Sequence, residues 1–175
     1  MGLDALPRQR LARLPTPLHE AARLREALGG PARCPRILLK RDDLTDLALG
    51  GNKARKLEFI LPEARARGAT VLVTTGGPQS NHARMTAAAA TLAGMRAVLV
   101  LTGDDGTAGG NLLLDHLLGA ETCIVPDDVA EAAKMEELLD KLRRAGEREV
   151  RPSGCSRGQK ASFWIPSILR RRWRV

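Results

Sequence analysis

The 175-residue chain is 43% apolar and 27% charged, a balance that suits a globular protein and excludes wholesale disorder. No apolar run approaches the roughly 20 residues of a membrane-spanning helix, and Met1–Arg13 has no apolar core of signal-peptide type. Cys34, Cys123 and Cys155 are an odd number without CxxC spacing. They predict reduced thiols in a cytoplasmic protein, with no disulfide framework and no metal site.

The net charge of +8 is unevenly placed. Residues 151–175 hold seven basic residues and no acidic one, which leaves +1 for residues 1–150. Phe163, Trp164 and Trp173 also lie in this tail, and Phe59 is the one aromatic residue before it. A body near neutrality lacks the broad positive surface that phosphate backbones require, so neither nucleic acid nor membrane is an expected partner. Residues 151–175 read as an aberrant basic tail, poorly ordered and exposed. The alternative is a basic amphipathic segment that touches anionic membranes or nucleic acid; deleting it would then abolish a salt-sensitive binding.

In chain order, a helix is predicted over His19–Leu28, after the rigid Pro15–Pro17 turn, and a short strand over Arg36–Lys40. Asn52 to about Arg67 has helical spacing, with Leu57, Ile60 and Leu61 on one side. Pro62 is expected to kink or restart it, and Gly68 to stop it. Thr70–Thr74 (TVLVT) reads as a buried strand, followed by the loop GGPQSN and an alanine-rich helix from His82 to about Ala93. Arg96–Leu101 is a third strand. A glycine-rich loop follows, then a helix from about Gly109 to Leu118. Glu121–Val125 is a fourth strand, and Asp127 to about Ala145 a long amphipathic helix. Repeated alternation of apolar strands and helices with short connections predicts an α/β fold, a parallel sheet with flanking helices.

Two stretches carry the chemistry. In Gly50-Gly51-Asn52-Lys53-Ala54-Arg55-Lys56 the glycines permit tight turns and close ligand approach, and Asn52 suits a helix N-cap. Lys53 and Lys56 then share the first helical turn. Cations there oppose the helix dipole by roughly 0.3–1 kcal/mol each, and an anion reverses that sign. A lysine near other cations also has a lowered pKa, which suits imine chemistry. The plainer reading pairs both lysines with Glu58, or with Asp42 and Asp43. The second stretch, Thr75-Gly76-Gly77-Pro78-Gln79-Ser80-Asn81-His82, follows a strand and opens a helix, where ligands of open α/β sheets collect. Its donors suit a small carboxylate, although Ser80 or Asn81 as a simple N-cap would explain part of it. The loop Gly103–Asn111 lacks the GxxxxGK[ST] pattern and is not a nucleotide P-loop.

Together, LKRDDLT (Leu39–Thr45), GGNKARKLEFIL (Gly50–Leu61) and TTGGPQSNHAR (Thr74–Arg84) resemble the D-cysteine desulfhydrase and 1-aminocyclopropane-1-carboxylate deaminase family of pyridoxal-phosphate enzymes. PTPL (Pro15–Leu18) and GNLLLDHLLGAE (Gly110–Glu121) are similar to it as well, so the likeness runs from about Leu11 to Glu149. The resemblance implies a tryptophan-synthase-β-like fold with pyridoxal 5'-phosphate in the cleft between a large and a small α/β domain. Residues 1–55 would be the N-terminal part of the large cofactor domain and residues 56–150 the small one.

The resemblance also implies roles. Lys53 matches the lysine to which the cofactor bonds, Lys56 a basic residue facing its phosphate, and Asn81 the side chain bonded to the 3-oxygen of its ring. Ser80 matches the residue beside the substrate carboxylate and Cα, and Gln79 and His82 line the carboxylate pocket. The implied activity is D-cysteine desulfhydration to pyruvate, hydrogen sulfide and ammonia. Alternatives are 1-aminocyclopropane-1-carboxylate deamination to 2-oxobutanoate and ammonia, or a non-catalytic fragment that keeps the small-domain fold. Members of the family are about twice this length and form homodimers. Their phosphate-binding glycine loop, the residue facing the pyridine nitrogen and a later active-site tyrosine all come after this chain stops. The expectation is therefore a truncated chain lacking the C-terminal half, with weak cofactor binding and little turnover of its small amino-acid substrate.

Overall fold

The computed structural model describes residues 5–104 and 109–150. The expectations for the tail 151–175, for Cys155 and for residues 105–108 of the glycine-rich loop lie outside the described residues. The chain divides between Glu63 and Ala64 into two compact units.

The first unit opens with β1 (Leu18–Glu20), α1 (Ala22–Ala27) and β2 (Leu38–Lys40). β1 and β2 pair antiparallel, Leu18 opposite Lys40 and Glu20 opposite Leu38. This corrects the helix expected over His19–Leu28: its first residues are strand, and only Ala22–Ala27 is helical. The residues Leu18-His19-Glu20 are too few to show a period, and what makes them a strand is a partner 20 residues away in sequence. Two short 3-10 turns, Asp42–Leu44 and Leu47–Leu49, lead to α2 (Ala54–Ala66). α2 starts two residues later than expected and runs unbroken through Pro62. A proline cannot donate to the carbonyl four residues back. Here that carbonyl, on Glu58, accepts the main-chain N–H of Gln9 at 2.8 Å instead.

The second unit contains β3 (Val71–Gly76), α3 (Asn81–Ala93), β4 (Arg96–Thr102), α4 (Gly110–Leu117), β5 (Glu121–Val125), α5 (Asp128–Arg144) and β6 (Glu149–Val150). The four strands form one sheet in the order β5-β4-β3-β6, and every pairing is parallel. The predicted α/β alternation is thus the observed one, with β6 added at the edge. Val71, Val73, Val98, Val100 and Val125 turn to one face, where Met135, Leu139 and Leu142 of α5 cover them. Leu72, Leu99 and Leu101 alternate to the other face. There α3, which touches both β3 and β4, presents Ala83, Met85 and Ala87–Ala90, all buried. A run of alanines lets the helix axis come close to the sheet, so no large side chain is needed there. Of the two candidate caps, Ser80 and Asn81, it is Ser80 that starts α3, Gly94 ends it, and Asp127 accepts the N–H of Ala130 at 2.8 Å to start α5.

Among the described residues no helix is long and apolar enough to cross a membrane, and no group of three or more His, Cys, Asp or Glu could hold a metal ion.

Candidate functional site

The lysine cluster lies in the first unit. Residues 45–51 form a tight bend before it, and Thr45 is its fully buried pivot. The Thr45 hydroxyl donates to the carbonyl of Gly51, and its oxygen accepts the N–H of Gly51, both at 2.9 Å. Asp46, Ala48 and Leu49 adopt φ of 69°, 44° and 67°, the left-handed region that non-glycine residues rarely occupy. Gly50 follows at φ 79°, and a Cβ on it would lie 1.9 Å from the carbonyl oxygen of Asp43. Only glycine fits there. Asn52 and Lys53 then form a turn. The carbonyl of Asn52 accepts the N–H of Arg55, and that of Lys53 accepts those of Lys56 and Leu57. Lys53 and Lys56 are thereby held on consecutive turns at the start of α2, both half-buried.

Asp42, Asp43 and Glu58, the carboxylates that the plainer reading assigns to these lysines, bind other groups as well or instead. Asp42 binds the Arg55 guanidinium through both oxygens, at 2.6 and 2.8 Å, and accepts the Thr16 hydroxyl at 2.8 Å. The Arg55 hydrogen bonds, with Thr16 and nearby cations, hold its carboxyl at about 2, against burial. Asp43 takes Arg41 at 2.6 Å. Glu58 is buried and receives the N–H groups of Leu11 and Ala12 at 2.9 and 3.0 Å and the Arg8 guanidinium at 2.5 Å. Burial pushes the Glu58 carboxyl up, but these donors outweigh it and hold it below its ordinary value. Lys56 moves the other way: burial first, and the charge of Lys53 second, bring its ammonium down to about 8.

The polar turn lies in the second unit, between β3 and α3. Ser80 is the N-cap, its Oγ accepting the N–H of Ala83 at 3.2 Å. A Cβ on Gly76 would fall 2.7 Å from that Oγ, so the glycine makes room for the cap. The capping bond uses a lone pair and leaves the hydroxyl proton available to donate. Gln79 and Asn81 are exposed and His82 half-buried. Gln79 turns toward the start of α4, where its Nε2 donates to the carbonyl of Gly109 at 3.1 Å and its Oε1 accepts the N–H of Asn111 at 2.9 Å. The His82 ring lies 3.4 Å from the Thr86 hydroxyl.

Lys53 and Lys56 are therefore brought together by one bend, and Gln79 to His82 by one helix start, each cluster within its own unit. Sequence reasoning passed over Asn111, whose Nδ2 donates to the Gln79 carbonyl at 2.7 Å and to Asn81 Oδ1 at 3.0 Å. Its only signal was its place in the GNLLLDHLLGAE block, because the contact spans 30 residues. Asp115 was also missed. It lies one turn after the buried Leu112, on the buried stripe of α4, and that spacing could have marked it.

A family model described as "Pyridoxal-phosphate dependent enzyme" matches residues 10–156. The chain belongs to the pyridoxal-phosphate-dependent enzymes. It is 40% identical over 166 residues to the 1-aminocyclopropane-1-carboxylate deaminases of Burkholderia multivorans and Burkholderia ambifaria, matching 89% of this chain and 48% of each relative. A crystal structure described as an ACC deaminase homologue superimposes with a TM-score of 0.76 at 37% identity, covering 88% of this chain and 47% of that one. The chain thus spans about half the length of the relatives it matches. The fold and the cofactor class inferred from the motif blocks agree with these matches.

The residues present suit that cofactor. It brings an aldehyde, a phosphate and a ring oxygen. The start of α2 offers a primary amine on Lys53, and on Lys56 an ammonium whose charge is disfavoured by burial and by its neighbour; a phosphate relieves both effects. The start of α3 offers amide and hydroxyl donors on Gln79, Ser80 and Asn81.

Proposed function

We propose that the chain carries part of the active site of a pyridoxal-phosphate-dependent lyase or deaminase of a small amino acid. The observation that supports this most is the pair Lys53 and Lys56 at the start of α2, where burial and the charge of Lys53 bring the Lys56 ammonium down to about 8 while leaving it mostly charged at pH 7. Lys53 supplies the amine that bonds to the cofactor aldehyde, Lys56 neutralises the cofactor phosphate, and Asn81 donates to the ring oxygen. When bound, pyridoxal phosphate supplies an electron sink for the bond broken at the substrate Cα. Ser80 places its hydroxyl beside the substrate carboxylate and Cα, and Gln79 and His82 line the carboxylate pocket.

For the substrate, 1-aminocyclopropane-1-carboxylate is better supported than D-cysteine, because both relatives cited above are named as deaminases of that amino acid. D-cysteine, favoured from the sequence blocks, remains the second substrate to assay. Titration with pyridoxal 5'-phosphate should produce the visible absorbance band of the lysine-bound cofactor in the wild-type chain and none in Lys53→Ala. A band that survives in Lys53→Ala, or none in the wild type at saturating cofactor, overturns the reading. Release of 2-oxobutanoate, or of pyruvate with hydrogen sulfide, then tells the two substrates apart.

A further inference from the structure

The turn before α3 and the start of α4 share a chain of hydrogen bonds whose direction is set by the main chain. The Gly109 carbonyl can only accept, so the side-chain nitrogen of Gln79 must face it, at 3.1 Å. The Asn111 N–H can only donate, so Gln79 Oε1 must face that, at 2.9 Å. The Gln79 carbonyl can only accept, so Asn111 turns its Nδ2 toward it, at 2.7 Å. The second proton of the same amide group reaches Asn81 Oδ1 at 3.0 Å. With the opposite orientation, Asn81 would set one NH2 group against another, losing a hydrogen bond and opposing two donors. Asn81 therefore keeps its oxygen toward Asn111 and its NH2 turned away. Gly110 makes the arrangement possible: it sits at φ 60°, and a Cβ there would lie 2.3 Å from Gln79 Oε1.

We propose that Asn111 is a positioning residue that fixes the amide polarity of Asn81, so that the start of α3 presents a hydrogen-bond donor, and never an acceptor, to the ring oxygen of pyridoxal phosphate. The inference rests on the reading of Asn81 as the group that binds that oxygen. Either polarity of an exposed amide would satisfy the helix start equally; only a ligand oxygen requires one of them.

A double-mutant cycle on the full chain tests it, read as the dissociation constant of pyridoxal 5'-phosphate by absorbance titration. Asn81→Ala is expected to weaken binding about tenfold, the scale of one hydrogen bond of about 1.4 kcal/mol. Asn111→Ala should weaken it by a similar factor, and the double variant no further than Asn81→Ala alone, because Asn111 acts through Asn81. Asn111→Asp supplies a readout without cofactor. Its carboxylate should invert the Asn81 amide, moving one of the Asn81 side-chain amide proton signals downfield in the free chain. Unchanged binding in Asn111→Ala, additive losses in the double variant, or an unmoved Asn81 signal overturns the proposal alone. No binding by the wild type, or wild-type binding by Asn81→Ala, overturns the underlying reading of Asn81 and the proposal with it.

Discussion

Gln9 donates its main-chain N–H to the carbonyl of Glu58 across 49 residues of sequence, at 2.8 Å, in the place of the donor that Pro62 cannot supply. The carboxylate of the same Glu58 gathers Leu11, Ala12 and Arg8. One residue thus fastens segment 8–12 to α2 through both its main chain and its side chain.

Replacing Glu58 with Ala should therefore destabilise the first unit by roughly 3 kcal/mol, because two N–H groups and a guanidinium lose their acceptor together. Glu58→Gln keeps an acceptor and should lose about half as much. Urea denaturation of both variants measures the difference. With its folded pKa lowered, Glu58 contributes stability above its ordinary value of 4.5, and loses it as pH falls through the folded value. Asp42 behaves alike, its share disappearing between its ordinary 3.8 and about 2. A wild-type stability profile that stays flat as pH falls below 4.5 would contradict both assignments.

Lys56 has the opposite sign. Its folded pKa of about 8 lies below the ordinary 10.5, so above pH 8 the unfolded chain holds more protons and stability rises until about pH 10.5. Lys56→Met should raise thermal stability at pH 7 by roughly 1–3 kcal/mol and remove that rise. The same variant should weaken binding of inorganic phosphate and of pyridoxal phosphate. If it melts lower and binds phosphate unchanged, the account of the lysine pair is wrong.

Arg84 of α3 and Asp115 of α4 are both buried, and neither carboxylate oxygen of Asp115 has a hydrogen-bond partner among the described residues. Burial pushes the Asp115 carboxyl up to about 6, against the pull of the Arg84 charge. Between its ordinary 3.8 and about 6 the folded chain keeps a proton that the unfolded chain releases, so its contribution falls as pH rises through that window. Asp115→Leu removes a charge that acts on the buried Arg84 and should destabilise by roughly 3–5 kcal/mol. Joint replacement, Arg84→Met with Asp115→Leu, should be close to neutral or stabilising. Calorimetric melting of the single and double variants decides this, and a double variant as unstable as the single one would contradict it.

The bend before Lys53 holds strain that glycine would remove. Leu49 is 75% exposed and sits at φ 67°, so Leu49→Gly deletes little packing and should stabilise by about 1 kcal/mol. Gly50→Ala should do the reverse and shift the start of α2, because the added methyl group meets the Asp43 carbonyl at 1.9 Å. Comparing the cofactor affinities of the two variants shows whether the strained bend sets the reach of Lys53. Equal affinities would confine the bend to a structural role.

The strand–helix alternation from β3 to α5, a cap at Ser80 or Asn81, and the two stretches that hold the candidate site were legible in the sequence. Each depends on periodicity or capping within about a dozen residues, where local hydrogen bonding and burial leave a readable pattern. Long-range contacts alone made Leu18–Glu20 a strand, tied Glu58 to the N-terminal segment, put the buried Asp115 under the charge of Arg84, and set which way the Asn81 amide points. Those outcomes depend on partners 20 to 50 residues away. The approach of such partners is set by chain closure and by which polar groups find each other inside, and neither leaves a mark on the neighbouring sequence.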